Sequence, residues 1–161
     1  MAEKYIYIVI RILAIVIGLL ILSLSVDINQ QRRYKNQVQL PDMNFTLFTG
    51  LFSIITTVFE FVKASVSSFN RPIITLINDI LNLIFTFSAS IILSHITGFH
   101  SCANVDYVKN TPVFLKSKGI CREFHALTFL SLILFFLYII LSIISAFFYG
   151  KIKGSNSRLH S

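Results

Sequence analysis

Charge is scarce in this 161-residue chain: Asp, Glu, Lys and Arg make up 13% of it, against 55% hydrophobic residues. Soluble domains carry about 25% charged residues, so about half the usual solubilising charge is missing. A water-soluble fold of this length could not cover that much apolar surface. Disorder is excluded too, because disordered chains are polar and poor in aromatics, whereas this one holds 16 Phe and 6 Tyr. Catalytic signatures are absent: there are four His and no histidine box, no G-x-S-x-G, no glycine-rich phosphate loop and no metal motif. No enzyme constellation and no cofactor is therefore expected. Neither a CAAX box nor a juxtamembrane Cys suggests lipidation. The charge that remains leans basic, 14 Lys+Arg against 7 Asp+Glu, a net +7. Beside membrane spans such an excess marks loops near anionic lipid rather than a nucleic-acid partner. The chain reads as an integral membrane protein.

Crossing a bilayer core about 30 Å thick takes about 20 apolar residues, and four runs qualify: residues 5–26, 45–62, 72–97 and 124–148. The first is interrupted only by Arg11, the second carries Glu60 near its end, and the third opens on Pro72, which suits a helix N-terminus. All are too long and too uniformly apolar for barrel strands. The expected fold is all-α, an antiparallel four-helix transmembrane bundle over residues 1–150, with a short basic tail at 151–161. Span 1 also has a rival reading as a signal peptide, with Ile12 to Leu22 as its apolar region and Ser23-Leu24-Ser25 as its cleavage site.

Lipid tails are as apolar as Leu, so membrane helices meet through small and polar residues. Each span carries such a stripe at three- and four-residue steps. Span 1 has Arg11, Ala14, Gly18 and Ser25; span 2 has Thr46, Gly50, Ser53, Thr57, Glu60 and Ala64. Span 3 has Asp79, Asn82, Thr86 and then Ala89 or Ser90; span 4 has Ser131, Tyr138, Ser142, Ser145 and Tyr149. The 3.5-residue spacing is that of a left-handed bundle. The other faces are Ile, Leu, Val and Phe, with Phe135, Phe136, Phe147 and Phe148 the aromatic surfaces for lipid or partner contact.

Orientation is not decided by charge. With cytosolic termini, Lys4, Lys63, Arg71, Lys151, Lys153 and Arg158 lie inside, and Arg32, Arg33, Lys35, Lys109, Lys116, Lys118 and Arg122 outside, a near-even split that the positive-inside rule cannot read. Cys102 and Cys121 are the two cysteines and both fall in the third loop. Paired, they would place that loop in an oxidising compartment; unpaired, they would be reduced cytosolic thiols. His100, Cys102, Cys121 and His125 are residue types of a zinc site, but C-x2-C and H-x3-H spacings are missing and no metal is expected. Asn44-Phe45-Thr46 is a glycosylation sequon lying against the membrane, where modification is not expected.

Three charges fall at similar depth on the inward stripes. Arg11 is about 9 Å into span 1 and Asp79 about 10 Å into span 3, at 1.5 Å per residue, with Glu60 near the same end of span 2. Isolated, each would cost about 2.5–3.5 kcal/mol at a helix centre and less near the interface. The plainer reading is a cluster of Arg11 with Asp79 and Glu60 that sets bundle register, with Asn78 and Asn82 hydrogen-bonding across helices. The sharper alternative is a small proton-linked transporter using Glu60 and Asp79, although neither broken helices nor a midplane site is evident.

RILAIVIGLLILSLS around Arg11, NDILNLIFTFSASIIL in span 3, and HSCANVDYV with GICREFHA at the two ends of the third loop resemble the MARVEL-type four-span proteins. Within these the chain resembles the fungal non-classical export protein family. The resemblance covers spans 1, 3 and 4 best, loop 1 and span 2 less. Claudins and tetraspanins fit worse, since Trp and Cys-Cys-Gly are absent. It implies an M-shaped bundle in the plasma membrane, cytosolic termini, and extracellular loops at residues 27–44 and 98–123. It also implies microdomain (eisosome-associated) organisation and a link to trafficking or unconventional export. It carries over no catalytic residue, only the cysteine pair and Arg11 with Asp79 as structural features. Expected partners are membrane lipids, sterol or sphingolipid among them, and other membrane proteins or further copies of the chain. An accessory subunit of a larger membrane enzyme or transporter would use the same faces.

Overall fold

A computed structural model of the chain describes residues 2–34, 41–65, 72–98 and 102–157. Helix α1 spans Ala2–Tyr34, α2 Pro41–Ser65, α3 Pro72–Thr97, α4 Val105–Asn110 and α5 Lys118–Ser157, with a 3-10 turn at Pro112–Phe114. Among the described residues there is no strand. Four helices, α1, α2, α3 and α5, are long and apolar enough to cross a membrane. The fold is thus all-α, a four-span bundle. In a bilayer every backbone N–H and C=O must be satisfied within its own segment, and the uninterrupted helix does this.

The helices outrun the apolar stretches that nucleate them. Much of the first loop expected at residues 27–44 is helical, as α1 continues to Tyr34 and α2 starts at Pro41. Likewise α5 begins at Lys118, inside the expected third loop, and continues as helix through Ser157, across much of the expected tail. Hydropathy ends where the bilayer ends, whereas a helix continues as long as its backbone bonds and cap chemistry allow. Residues 35–40, Arg71, His100 and Arg158 fall outside what is described, as do the side chains of Lys4, Arg33, Ala64, Tyr149, Lys151 and Lys153.

α1 packs on α2, α2 on α3, α3 on α5 and α5 on α1, so α1 faces α3 across the bundle and α2 faces α5. The inward stripes form the interior: Arg11, Ala14, Ser25, Thr46, Ser53, Thr57, Glu60, Asp79, Asn82, Thr86, Ala89, Ser90, Ser131, Tyr138 and Ser145 are all buried. Ser142 is half-buried. Aliphatic residues such as Ile17, Ile21, Leu93, Leu134 and Leu141 complete the interior, and the outer face is aliphatic and aromatic, Phe129, Phe136 and Phe147 among its most exposed residues. Such a surface is unsustainable in water and natural in lipid. α1 and α2 approach closely at Gly18 and Gly50: a Cβ on Gly50 would stand 3.3 Å from the Gly18 carbonyl oxygen and 3.2 Å from Ile21 Cγ2.

The third loop is folded rather than loose. Asn104 caps α4, its Oδ1 accepting from the backbone N–H groups of Asp106 and Tyr107 at 3.1 and 3.2 Å. Leu115 and Lys116 take left-handed φ angles of 51° and 61°, reversing the chain into α5. Phe114 fills the space below, buried between the rings of Tyr107 and Phe124 at 5.4 and 5.8 Å. Arg32, counted from sequence as an outside loop charge, is instead a buried α1 side chain whose Nη1 donates to the Val113 carbonyl at 3.0 Å.

Candidate functional site

The polar interior is a lattice of ties between helices, concentrated in the half of the bundle that carries both termini. Arg11 on α1 donates through Nη2 to both oxygens of Asp79 on α3, at 2.8 and 3.0 Å. Ser145 on α5 donates to Asp79 Oδ2 at 2.6 Å, and the Arg11 guanidinium lies 4.7 Å from the centre of the Tyr7 ring. The charged pair therefore joins the two helices that do not pack directly, α1 and α3.

The other diagonal, α2 to α5, is tied by hydroxyls. Tyr138 OH lies 2.6 Å from Ser53 Oγ and 3.2 Å from Thr57 Oγ1. Thr57 already spends its proton on the Ser53 carbonyl at 2.7 Å, so towards Tyr138 it accepts. The phenol therefore donates to Thr57 and accepts from Ser53, an ordered chain of donors in a medium of low dielectric.

Glu60 and Lys63 make a second buried pair, at 3.1 Å within α2. Thr75 donates to Glu60 Oε2 at 2.6 Å and Asn78 to Oε1 at 3.0 Å, while Lys63 also donates to Thr75 at 3.2 Å. The cluster expected from sequence is thus resolved into two adjoining units: Glu60 takes Lys63 as its direct partner, and Arg11 takes Asp79. Lys63 falls just past the apolar run of residues 45–62, which stops at Val62. Its spacing of three from Glu60 was the available signal, since side chains three apart on a helix are neighbours. Asn78 reaches across to Glu60, as noted, and Asn82 to Thr56 Oγ1 at 2.9 Å. Apart from Glu60–Lys63 within α2, the ties to these two carboxylates run between elements, and the carboxylates of Asp79 and Glu60 are each occupied by a cation and by hydroxyl or amide donors.

At the opposite end, Cys102 and Cys121 form a disulfide with Cα atoms 5.9 Å apart, joining the chain just after α3 to the first turn of α5. His125, one helical turn beyond Cys121, sits beside it. Tyr107 donates its hydroxyl to the Thr97 carbonyl, and partial burial raises its phenol above the ordinary tyrosine value. The sequon Asn44-Phe45-Thr46 is helical, with Asn44 exposed and Thr46 donating to the Asp42 carbonyl at 2.9 Å.

Four antiparallel spans tied through their interior by polar contacts define a membrane-associating four-helix protein. The chain belongs to the MARVEL family, whose model, described as a membrane-associating domain, matches residues 5–147. Among curated proteins it is similar to non-classical export protein 2 homolog 1 of Saccharomyces cerevisiae, 31% identical over 85 residues, 52% of this chain and 49% of that protein. It is also similar to non-classical export protein 2 of the same yeast, 29% identical over 117 residues, 69% of this chain and 65% of that protein. The matched segments thus span about half and just under two thirds of those relatives. No solved structure matches the chain.

Proposed function

We propose that this protein is a non-enzymatic organiser of the plasma membrane, working through helix–helix and helix–lipid contacts and supporting trafficking or unconventional export. One observation carries the reading: the buried charges and Tyr138 are engaged with partners inside the bundle, and the outer face is built of aromatic and aliphatic residues. Such a molecule offers its surroundings a shaped apolar surface. Phe147, 76% exposed, lies with Ile6, Ile143, Ile144 and Phe148 along a groove between α1 and α5 at the end bearing the termini. The names of the yeast relatives, export proteins, support the link to export.

In this reading residues 1–150 act as one four-span domain and 151–161 as a basic cytosolic tail. Disulfides persist in oxidising compartments, which supports an extracellular or lumenal third loop and cytosolic termini. Eisosome-like microdomains are the proposed setting, with sterol or sphingolipid as lipid partners. The transporter alternative is disfavoured because Asp79 and Glu60 are both held by cations.

Imaging a fluorescent fusion at the cell surface, combined with native mass spectrometry of the purified protein, tests the proposal. Laterally confined patches and retained lipid are expected. A uniform surface distribution would overturn the organiser role, and a protein partner at fixed stoichiometry would establish the accessory-subunit reading. Proton flux into liposomes that Asp79→Asn abolishes would establish transport.

A further inference from the structure

The corner where the third loop enters α5 holds three donors of one coordination chemistry. His125 Nδ1 lies 3.4 Å from Cys102 Sγ and 3.9 Å from Cys121 Sγ, and the three atoms lie within 4.8 Å of one another. Cys121 and His125 are four apart on one helix, which places both side chains on the same face. A tetrahedral Zn²⁺ with Zn–S of about 2.3 Å and Zn–N of about 2.0–2.1 Å sets S···N pairs about 3.5 Å apart and S···S pairs about 3.8 Å apart. Both S···N separations already match that geometry within about 0.4 Å; only the two sulfurs, now bonded, would have to part. Cys121 is fully buried, whereas Cys102 and His125 are half-exposed, so the cluster has a closed floor and an open side through which a metal and a completing water could enter.

We propose that Cys102, Cys121 and His125 form a redox-gated site for a thiophilic divalent cation, zinc above all. Oxidised, the two sulfurs are one disulfide and offer no thiolate. A dithiol reductant attacks the accessible Cys102 sulfur and expels Cys121 as thiolate. Its second thiol then displaces Cys102, so that two electrons pass to the cystine and the reductant closes its own disulfide. The metal binds the two freed thiols by displacing their two protons, and His125 turns over from the Nδ1-protonated tautomer, which donates to the Cys121 carbonyl at 3.0 Å, to the Nε2-protonated one. The loop is then held to α5 by metal rather than by the disulfide; exchange with a small-molecule disulfide, which takes up the two electrons and two protons to leave as thiols, restores the Cys102–Cys121 bond and releases the ion. The site has neither C-x2-C nor H-x3-H spacing; it has C-x3-H on α5, completed by a cysteine 19 residues before Cys121.

Cobalt is the probe. Full-length protein in detergent is titrated with Co²⁺ either oxidised, or reduced with dithiothreitol and desalted without air. The reduced protein is expected to bind one Co²⁺ per chain with thiolate-to-metal charge-transfer absorption in the near ultraviolet, and the oxidised protein none. His125→Ala, its disulfide verified by gel shift before reduction, is expected to bind at least ten-fold more weakly; His125→Gln serves if the alanine variant does not fold. Equal binding by oxidised and reduced protein, no stoichiometric binding after reduction, or undiminished affinity in the His125 variant would each overturn the site. None of these outcomes bears on the membrane-organiser reading.

Discussion

Removing Arg11 alone strands Asp79 in the interior. Breaking one side of a buried pair costs about 3–5 kcal/mol in soluble proteins, and an uncompensated charge at a span centre about 2.5–3.5 kcal/mol. Arg11→Leu should therefore lose about 3 kcal/mol, seen as a lower thermal unfolding temperature in detergent, and the double variant Arg11→Leu/Asp79→Leu should regain most of it. Normal stability of Arg11→Leu would argue that the pair is kept for function. Tyr138→Phe tests the other diagonal. It removes a hydroxyl that bridges Ser53 and Thr57, and interhelical hydrogen bonds in membranes are worth about 0.6 kcal/mol and at most about 1.7. A loss in that smaller range is expected in the same assay. At this scale the sequence was legible where a polar residue interrupts an apolar run: Arg11, Asp79, Glu60 and Asn82 are all buried in the bundle. It was not legible where a charge sits at the edge of a run. Lys63 and Arg32 are buried, at 5% exposure each, because packing brings Thr75 of α3 to Lys63, beside its own-helix partner Glu60, and the Val113 carbonyl to Arg32.

Between elements, the close approach of α1 and α2 rests on two glycines whose roles differ. A Cβ at Gly18 would meet chiefly Ile54 Cγ1 at 3.1 Å, with Gly50 O and Ser53 Oγ further off at 3.6 and 3.7 Å. The Ile54 side chain has to give by only a few tenths of an ångström, and Ala is favoured over Gly in a helix by about 1 kcal/mol, so Gly18→Ala should be close to neutral. At Gly50 the obstacle includes the backbone of α1, which cannot turn. Gly50→Leu is expected to push the two helices apart and cost about 1–3 kcal/mol, the ordinary range for overpacking, again as a fall in unfolding temperature. The small-residue stripes announced these faces from sequence. Which glycine abuts backbone and which abuts a side chain depends on the rotation of each helix, which no stripe records.

For the whole molecule, an even number of crossings leaves both termini on one side and the disulfide-bearing loop on the other. Protease added to intact cells should spare tags at both ends, while a membrane-impermeant reductant should shift the mobility of the protein on a non-reducing gel. Tags cleaved on opposite sides would refute four spans, and a cystine protected from the outside reductant would reverse the orientation. Correcting the charge inventory does not supply a direction. Burial of Lys63 and Arg32 removes one cation from each side and leaves the near-even split in place, so orientation rests on the redox chemistry of Cys102 and Cys121.

By itself, the sequence determined that this protein lives in a membrane, crosses it four times and turns its small and polar residues inward. These follow from local composition and periodicity, which a bilayer reads directly through the transfer cost of each residue. Only the tertiary structure decided the pairing. That Arg11 reaches Asp79 on the facing helix, that Thr75 and Asn78 of α3 close on Glu60, and that His125 stands beside a Cys102 bonded to Cys121 all depend on helix order, rotation and relative height. Those quantities arise from contacts between residues far apart in the chain, and no local pattern encodes them.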